Sequence, residues 1–196
     1  MITIYCGPVK AGKSKRLIEI YNELKDCGCM VFSSKFSLTH GEDVVSRYGT
    51  HLKAIPINSL WDIPYHIPHN KTVFHILVDE FQFLQMSTDE LKAFFDEYYY
   101  KYDFVLFGLN RDYRKSPFKL MASAMAMADD VKIIGGYCDI CGKVPSKHSL
   151  RLENDTPADI EKEGQVILLD GEYLDTKIEY KSICDDCFKK IYRKDK

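Results

Sequence analysis

Two spacings of apolar residues alternate along the first two thirds of the chain. Short, nearly continuous runs occur at Ile2 to Cys6, Cys29 to Phe32, Leu52 to Ile57, Val73 to Val78 and Phe104 to Leu109. They predict strands, several of them buried on both faces. Between them Leu17, Ile18, Tyr21 and Leu24 return at helical spacing and mark a helix that ends near Gly28. Leu91, Phe94, Phe95 and Tyr98 do the same over Thr88 to Tyr102, after a capping pattern of Ser87 or Thr88 followed by acids. That aromatic stripe reads as core rather than as a ligand box. KLMASAMAMA predicts a third, closely packed helix, and the segment around Trp61 a short one interrupted by Pro64 and Pro68. Residues 33 to 51 are polar and irregular, too long for a simple connection, and are expected to form a flexible loop.

The junctions between these elements carry the chemistry. Gly7, Pro8, Val9, Lys10, Ala11, Gly12, Lys13 and Ser14 lie between the first strand and the first helix. In a GxxxxGK[ST] turn the glycines let backbone N–H groups close around a polyphosphate. Lys13 then reaches the outer phosphates, and the Ser14 hydroxyl is available to Mg²⁺. The helix start adds unpaired N–H groups and partial positive charge. A glycine turn that merely happens to contain Lys and Ser is the alternative, and the strand-to-helix setting argues against it. The run Val73 to Val78 closes in Asp79 and Glu80. Ligands of open α/β sheets bind beyond the carboxyl ends of strands, so both acids are expected in the crevice faced by the phosphate loop, with Asp79 serving Mg²⁺. The competing reading of the pair is an acidic helix cap. The expected fold is α/β, a P-loop NTPase-type, mostly parallel sheet flanked by helices over residues 1–135.

Composition narrows the partner and sets off the C-terminal end. The 196 residues can hold one ordinary core and a small appendage. With 27 Lys plus Arg against 29 Asp plus Glu there is no basic footprint for a duplex, so the ligand is expected to be a nucleotide monomer and not a nucleic-acid polymer. No apolar run approaches membrane-spanning length and the chain opens on a strand, which predicts a cytoplasmic protein with no leader and no membrane anchor. Of seven cysteines, Cys138 and Cys141 form one CxxC pair and Cys184 and Cys187 a second. Two such knuckles complete a tetrahedral sulfur set whose usual occupant is Zn²⁺, and a site closed by four sulfurs is structural. A redox dithiol is the rival, but thioredoxin-type motifs do not normally come in pairs. Residues 136–196 are therefore expected to form a small β-rich zinc-binding domain, with alternating stretches around Val166 to Leu169 and Tyr173 to Tyr180 and a solvated helix end in KKIYRKDK. Cys6, Cys27 and Cys29 read as small buried residues.

GPVKAGKS, then DEFQFL from Asp79 to Leu84, then GLNRDYRKSPF from Gly108 to Phe118, then YCDICGK and YKSICDDC stand in the order seen in the type II thymidine kinases. The chain resembles that family over nearly its whole length. The resemblance implies an ATP-dependent kinase acting on the 5′-hydroxyl of a deoxyribonucleoside, thymidine first. It implies Glu80 as the base that takes the hydroxyl proton, Asp79 and Ser14 at Mg²⁺, Lys13 on the phosphates and Gln82 beside the nucleotide. Phe83, Leu109, Tyr113 and Phe118 match walls around the thymine ring, and Tyr180 matches a tyrosine of a zinc-anchored lasso that closes over the nucleoside. Assembly as a homotetramer is implied as well.

Some positions depart from the family pattern, as in a divergent member, a viral one for instance. Ser37 and Thr39 stand where an acid and an arginine are expected. Val9 replaces a Met, Asn110 an Asp, and Phe81 a small residue. His148 falls where a Thr is usual, although Ser149, Leu150 and Arg151 restore a T-x-R-like pattern with a shift of one residue. The alternatives to thymidine kinase are a kinase of another deoxynucleoside, a nucleotide- or nucleoside-binding protein without turnover, and a DNA-dependent ATPase. Glu80 speaks against the binder, which needs no base, and the balanced charge speaks against the ATPase.

Overall fold

The computed structural model describes residues 1–37, 43–45, 51–70, 72–161, 170–173 and 175–193. In chain order the first half contains β1 (Ile2–Cys6), α1 (Lys13–Leu24), β2 (Cys29–Ser34), β3 (Asp43–Val45), β4 (His51–Lys53), β5 (Ile55–Ile57), α2 (Ile63–His66) and β6 (His75–Asp79). It continues with α3 (Thr88–Tyr98), β7 (Asp103–Gly108), α4 (Lys119–Met127), β8 (Asp130–Ile133), β9 (His148–Glu153), β10 (Thr156–Pro157), β11 (Gly171–Tyr173), β12 (Thr176–Ile183) and α5 (Asp185–Tyr192).

Six strands form one sheet in the order β5-β2-β6-β7-β1-β8, and every pairing is parallel. Parallel strands need crossovers that cover both faces, which is why the central strands are apolar without alternation. Ile2, Ile4 and Cys6 of β1 pack with Phe94, Phe104 and Met121 on one face, whereas Tyr5 packs with Leu17, Leu77 and Phe107 on the other. The stripe on α3 does belong to the core: Phe94 and Phe95 each meet Phe104 edge-on, and Trp61 meets Phe94 at 5.2 Å. A reciprocal Ser87–Glu90 capping box starts α3, which ends at Tyr98, short of Tyr102. Among the described residues no helix is long and apolar enough to cross a membrane.

Several expectations need correction. The run Leu52 to Ile57 divides at Ala54: β4 pairs with β3, and β5 with β2. Part of the expected loop 33 to 51 is thus regular, since Ser33 and Ser34 end β2 and Asp43–Val45 is a strand. Its residues 38–42 and 46–50, Thr39 among them, lie outside the described residues. Cys6 is buried, but Cys27 is exposed and Cys29 only half-buried, because a 3-10 turn carries the chain over the surface to Gly28. β12 falls in the expected alternating stretch, with β11 before it. Residues 166–169 lie outside the described residues. A second, four-stranded sheet, β10-β9-β12-β11, is antiparallel throughout and holds the C-terminal end together with α5.

Candidate active site and metal centre

The neighbouring strands β2, β6, β7 and β1 all end on one edge of the parallel sheet and bring together Ser33 and Ser34, Asp79 and Glu80, Gly108 and Leu109, and the loop from Gly7. That loop is held close against the chain behind it, where a Cβ at Gly7 would lie 2.1 Å from the Ile134 carbonyl oxygen. Gly12 turns into α1 at φ 91°, a conformation that glycine adopts without steric cost. Lys13 is buried, and its Nζ donates to the Pro8 carbonyl at 2.7 Å and to Gly7 at 3.4 Å, so the ammonium lies inside the curl of the loop. Burial pushes its pKa down, opposed by the charges of Glu80 and Asp79. A buried cation ringed by a glycine loop and two acids suits a polyphosphate whose charge it offsets.

Ser14 Oγ donates to Asp79 Oδ2 at 3.4 Å. Adjacent oxygens around an octahedral Mg²⁺ lie about 3 Å apart, so this pair nearly forms one edge of such a shell. Asp79 is 4% exposed, and burial, with the Glu80 charge next to it, raises its pKa to about 7 against the pull of the Glu80 N–H, Lys13 and Ser14. A carboxylate so short of solvent has most to gain from a divalent cation. Glu80 takes a left-handed backbone at φ 49° and opens a 3-10 turn over Phe81–Phe83. This turn sends Phe81 wholly into the core, so the large residue at that position does not enter the crevice. Gln82 is 6% exposed, donates from Nε2 to Glu80 Oε2 at 2.5 Å and accepts from the Leu109 N–H at 2.9 Å.

Of the expected base-binding residues, Phe83 and Phe118 meet edge-on at 5.8 Å. Phe36 joins them, 5.1 Å from Phe83 and 44% exposed. Phe36 was not singled out in the sequence, although a lone aromatic in a polar stretch just past a strand end is a usable signal. Leu109 leads into a tight loop closed by Asp112, whose carboxylate accepts from the Arg114 and Ser116 N–H groups. Tyr113, at the tip of that loop, is buried under Arg151 of β9, with the guanidinium 5.3 Å from the ring centre. Tyr180 stands opposite Arg151 across the β9–β12 pairing. Ser37, where the resemblance leads to the expectation of an acid, closes the turn after β2 by donating to the Ser34 carbonyl at 2.7 Å.

The second centre is built from Cys138 and Cys141 on a turn closed by Gly142 at φ 72°, and from Cys184 and Cys187 at the start of α5. All four Sγ atoms lie within 4.8 Å of one another, with Cys141 and Cys184 at 3.6 Å. Sulfurs about 2.3 Å from a tetrahedral Zn²⁺ are separated by about 3.8 Å, so the thiols fit that ion. Burial pushes Cys138 up, but N–H groups of Cys141, Cys184 and Ile140 outweigh it and bring the pKa to about 6. Burial and the neighbouring thiols send Cys187 up to about 12. Such a set gives up its protons one after another, and the last leaves readily only to a cation.

The two centres touch. Ser149 of β9 is buried, and its Oγ accepts from the Val9 N–H at 3.1 Å. The hydroxyl in contact with the phosphate loop is thus that of Ser149, while His148 turns to Asp185, 2.6 Å from its Nε2. Gly136 packs on the other side of the loop, where a Cβ would fall 2.9 Å from the Lys10 carbonyl oxygen.

Comparison with known proteins agrees with this geometry. A curated thymidine kinase of Mycoplasma genitalium is 28% identical over 153 residues, which is 77% of this chain and 70% of the relative. The thymidine kinase family model matches residues 1–188, so a single match takes in the phosphate loop, both acids, the aromatic pocket and all four cysteines. The chain belongs to the thymidine kinase family.

Proposed function

We propose that this kinase transfers the γ-phosphoryl group of ATP to the 5′-hydroxyl of thymidine. The observation that carries the reading is the meeting of Lys13, Asp79 and Glu80 at adjoining strand ends beside an aromatic wall. Phosphoryl transfer needs position and charge more than covalent catalysis, and these residues supply both. Lys13 and the loop N–H groups hold the phosphates, and Glu80 accepts the hydroxyl proton as the bond to phosphorus forms. Ser14 and Asp79 would hold Mg²⁺, which when bound neutralises charge on the transferring phosphoryl group. Phe36, Phe83 and Phe118 offer faces and edges for a planar base. The four cysteines would hold a structural Zn²⁺, suited to the reducing cytoplasm. We assign residues 1–135 to the kinase domain and 136–196 to the zinc-binding one. A homotetramer, implied by the resemblance, is checked by sedimentation.

The test is ATP-dependent phosphorylation across thymidine, deoxyuridine, deoxycytidine and the purine deoxynucleosides, with Glu80→Gln as control. Thymidine monophosphate is the expected product, and Glu80→Gln should lower turnover at least about 100-fold while ATP still binds. Product from a different nucleoside would move the assignment to that base. Binding without product would leave a nucleoside-binding protein.

A further inference from the structure

We infer that Gln82 is a positioning residue that holds the Glu80 carboxylate for proton transfer and ties it to the nucleoside loop. The inference rests on the proposed role of Glu80 and goes beyond it. Glu80 occupies a left-handed backbone that side chains other than glycine rarely adopt, so its carboxylate is aimed by the turn and not by a regular element. What fixes its end is the Gln82 amide, 2.5 Å away. That amide has no freedom of its own. Its Oε1 accepts from the Leu109 N–H, and a Cβ at Gly108 would lie 2.2 Å from this oxygen and 2.6 Å from Met121 Cε. Gly108 thus makes the room that the amide occupies, which a side chain there would fill, and the Leu109 N–H sets which end of it faces Glu80.

Two consequences follow. Both ends of the Gln82 side chain are engaged within the protein, which makes a direct grip on the nucleotide secondary to holding the base. Leu109 begins the loop that leads through Tyr113 to Phe118, so a nucleoside settling against that loop presses on the N–H that orients Gln82, and through it on Glu80. Binding of the base and placement of the proton acceptor share one hydrogen-bonded path.

Gln82→Glu separates the two ends. A glutamate can still accept from the Leu109 N–H, but it cannot donate as an amide does, and two carboxylates 2.5 Å apart would trap a proton between them. We expect kcat to fall about 10- to 100-fold, the loss that goes with a hydrogen bond to a charged group, with dissociation constants for ATP and thymidine little changed. In a Glu80→Gln background the same change should cost almost nothing further, since there is no longer a base to place. Gln82→Met, of similar volume, reads the same cycle should a glutamate not be accepted at this buried place.

If Glu80→Gln is inactive and Gln82→Glu turns over like the parent, positioning by Gln82 is overturned while the role of Glu80 stands. Additive losses in the double variant, or a loss of ATP binding, overturn it in favour of an independent contact. Near-normal turnover in Glu80→Gln removes the base itself and this inference with it.

Discussion

The phosphate crevice stands on strands with both faces covered, where Ile4, Val78 and Leu106 are fully removed from water, whereas the cysteine end has, among the described residues, a separate core of seven buried ones. Three of those seven are Cys138, Cys184 and Cys187 themselves, beside Leu150, Leu152, Ile183 and Phe188. The first region can hold its acids at the strand ends because the sheet beneath is stable without them. The second cannot spare its chemical residues, because they are also its packing. Where a core is this small, a metal supplies cohesion that apolar area does not.

The largest effect should therefore come from breaking the cysteine centre. Cys141→Ser is expected to release Zn²⁺ and to strip amide-exchange protection from β9 and β12, while β1, β6 and β7 keep theirs. Metal analysis with hydrogen exchange by residue checks both halves. Retained zinc would refute the four-thiol site, and loss of protection in β1 would show that the two regions are one cooperative unit.

A smaller change sharpens the join between them. Ser149→Ala removes the acceptor for the Val9 N–H and should weaken ATP binding about fivefold, the value of one hydrogen bond, with Ser149→Thr restoring it. Thymidine affinity serves as the internal reference. If ATP affinity stays as in the parent, the contact is packing only, and the cysteine end does not act through the phosphate loop.

The same contrast explains what could be read from sequence. β1, β6 and β7 were legible because burial on both faces leaves no choice but apolar residues, and the acids at their ends stand out against that background. β8 was not, since it lies at the sheet edge with Asp130, Lys132 and Ile133 exposed and offers no apolar run. β9 escaped for the opposite reason. Its buried positions include His148, Ser149 and Arg151, polar residues paired with Asp185, Val9 and Glu153. No periodicity in one strand can announce partners that lie elsewhere in the chain. The cysteines were legible by spacing alone, but the Gln82–Leu109 bond, which crosses from one strand end to the next, was not.

The last effect concerns what the stable region tolerates at its edge. Asp79 ionises near pH 7 in the folded protein, against an ordinary value of 3.8. Between about pH 4 and pH 7 the folded state thus keeps a proton that the unfolded chain gives up, so this group's contribution to stability falls as pH rises through that window and levels off above it. Asp129 and Asp185, the latter brought down to about 2 by Lys147 and His148, act with the opposite sign and only below about pH 4. Asp79→Asn should therefore reduce the drop in melting temperature between pH 5 and pH 8. Each kcal/mol corresponds to about 2–4 °C in a chain of this length. The cysteine centre's own response to pH is common to both proteins and cancels in the difference. An unchanged drop in Asp79→Asn would mean that the buried acid is ionised without a metal, and that the crevice is wetter than its burial indicates.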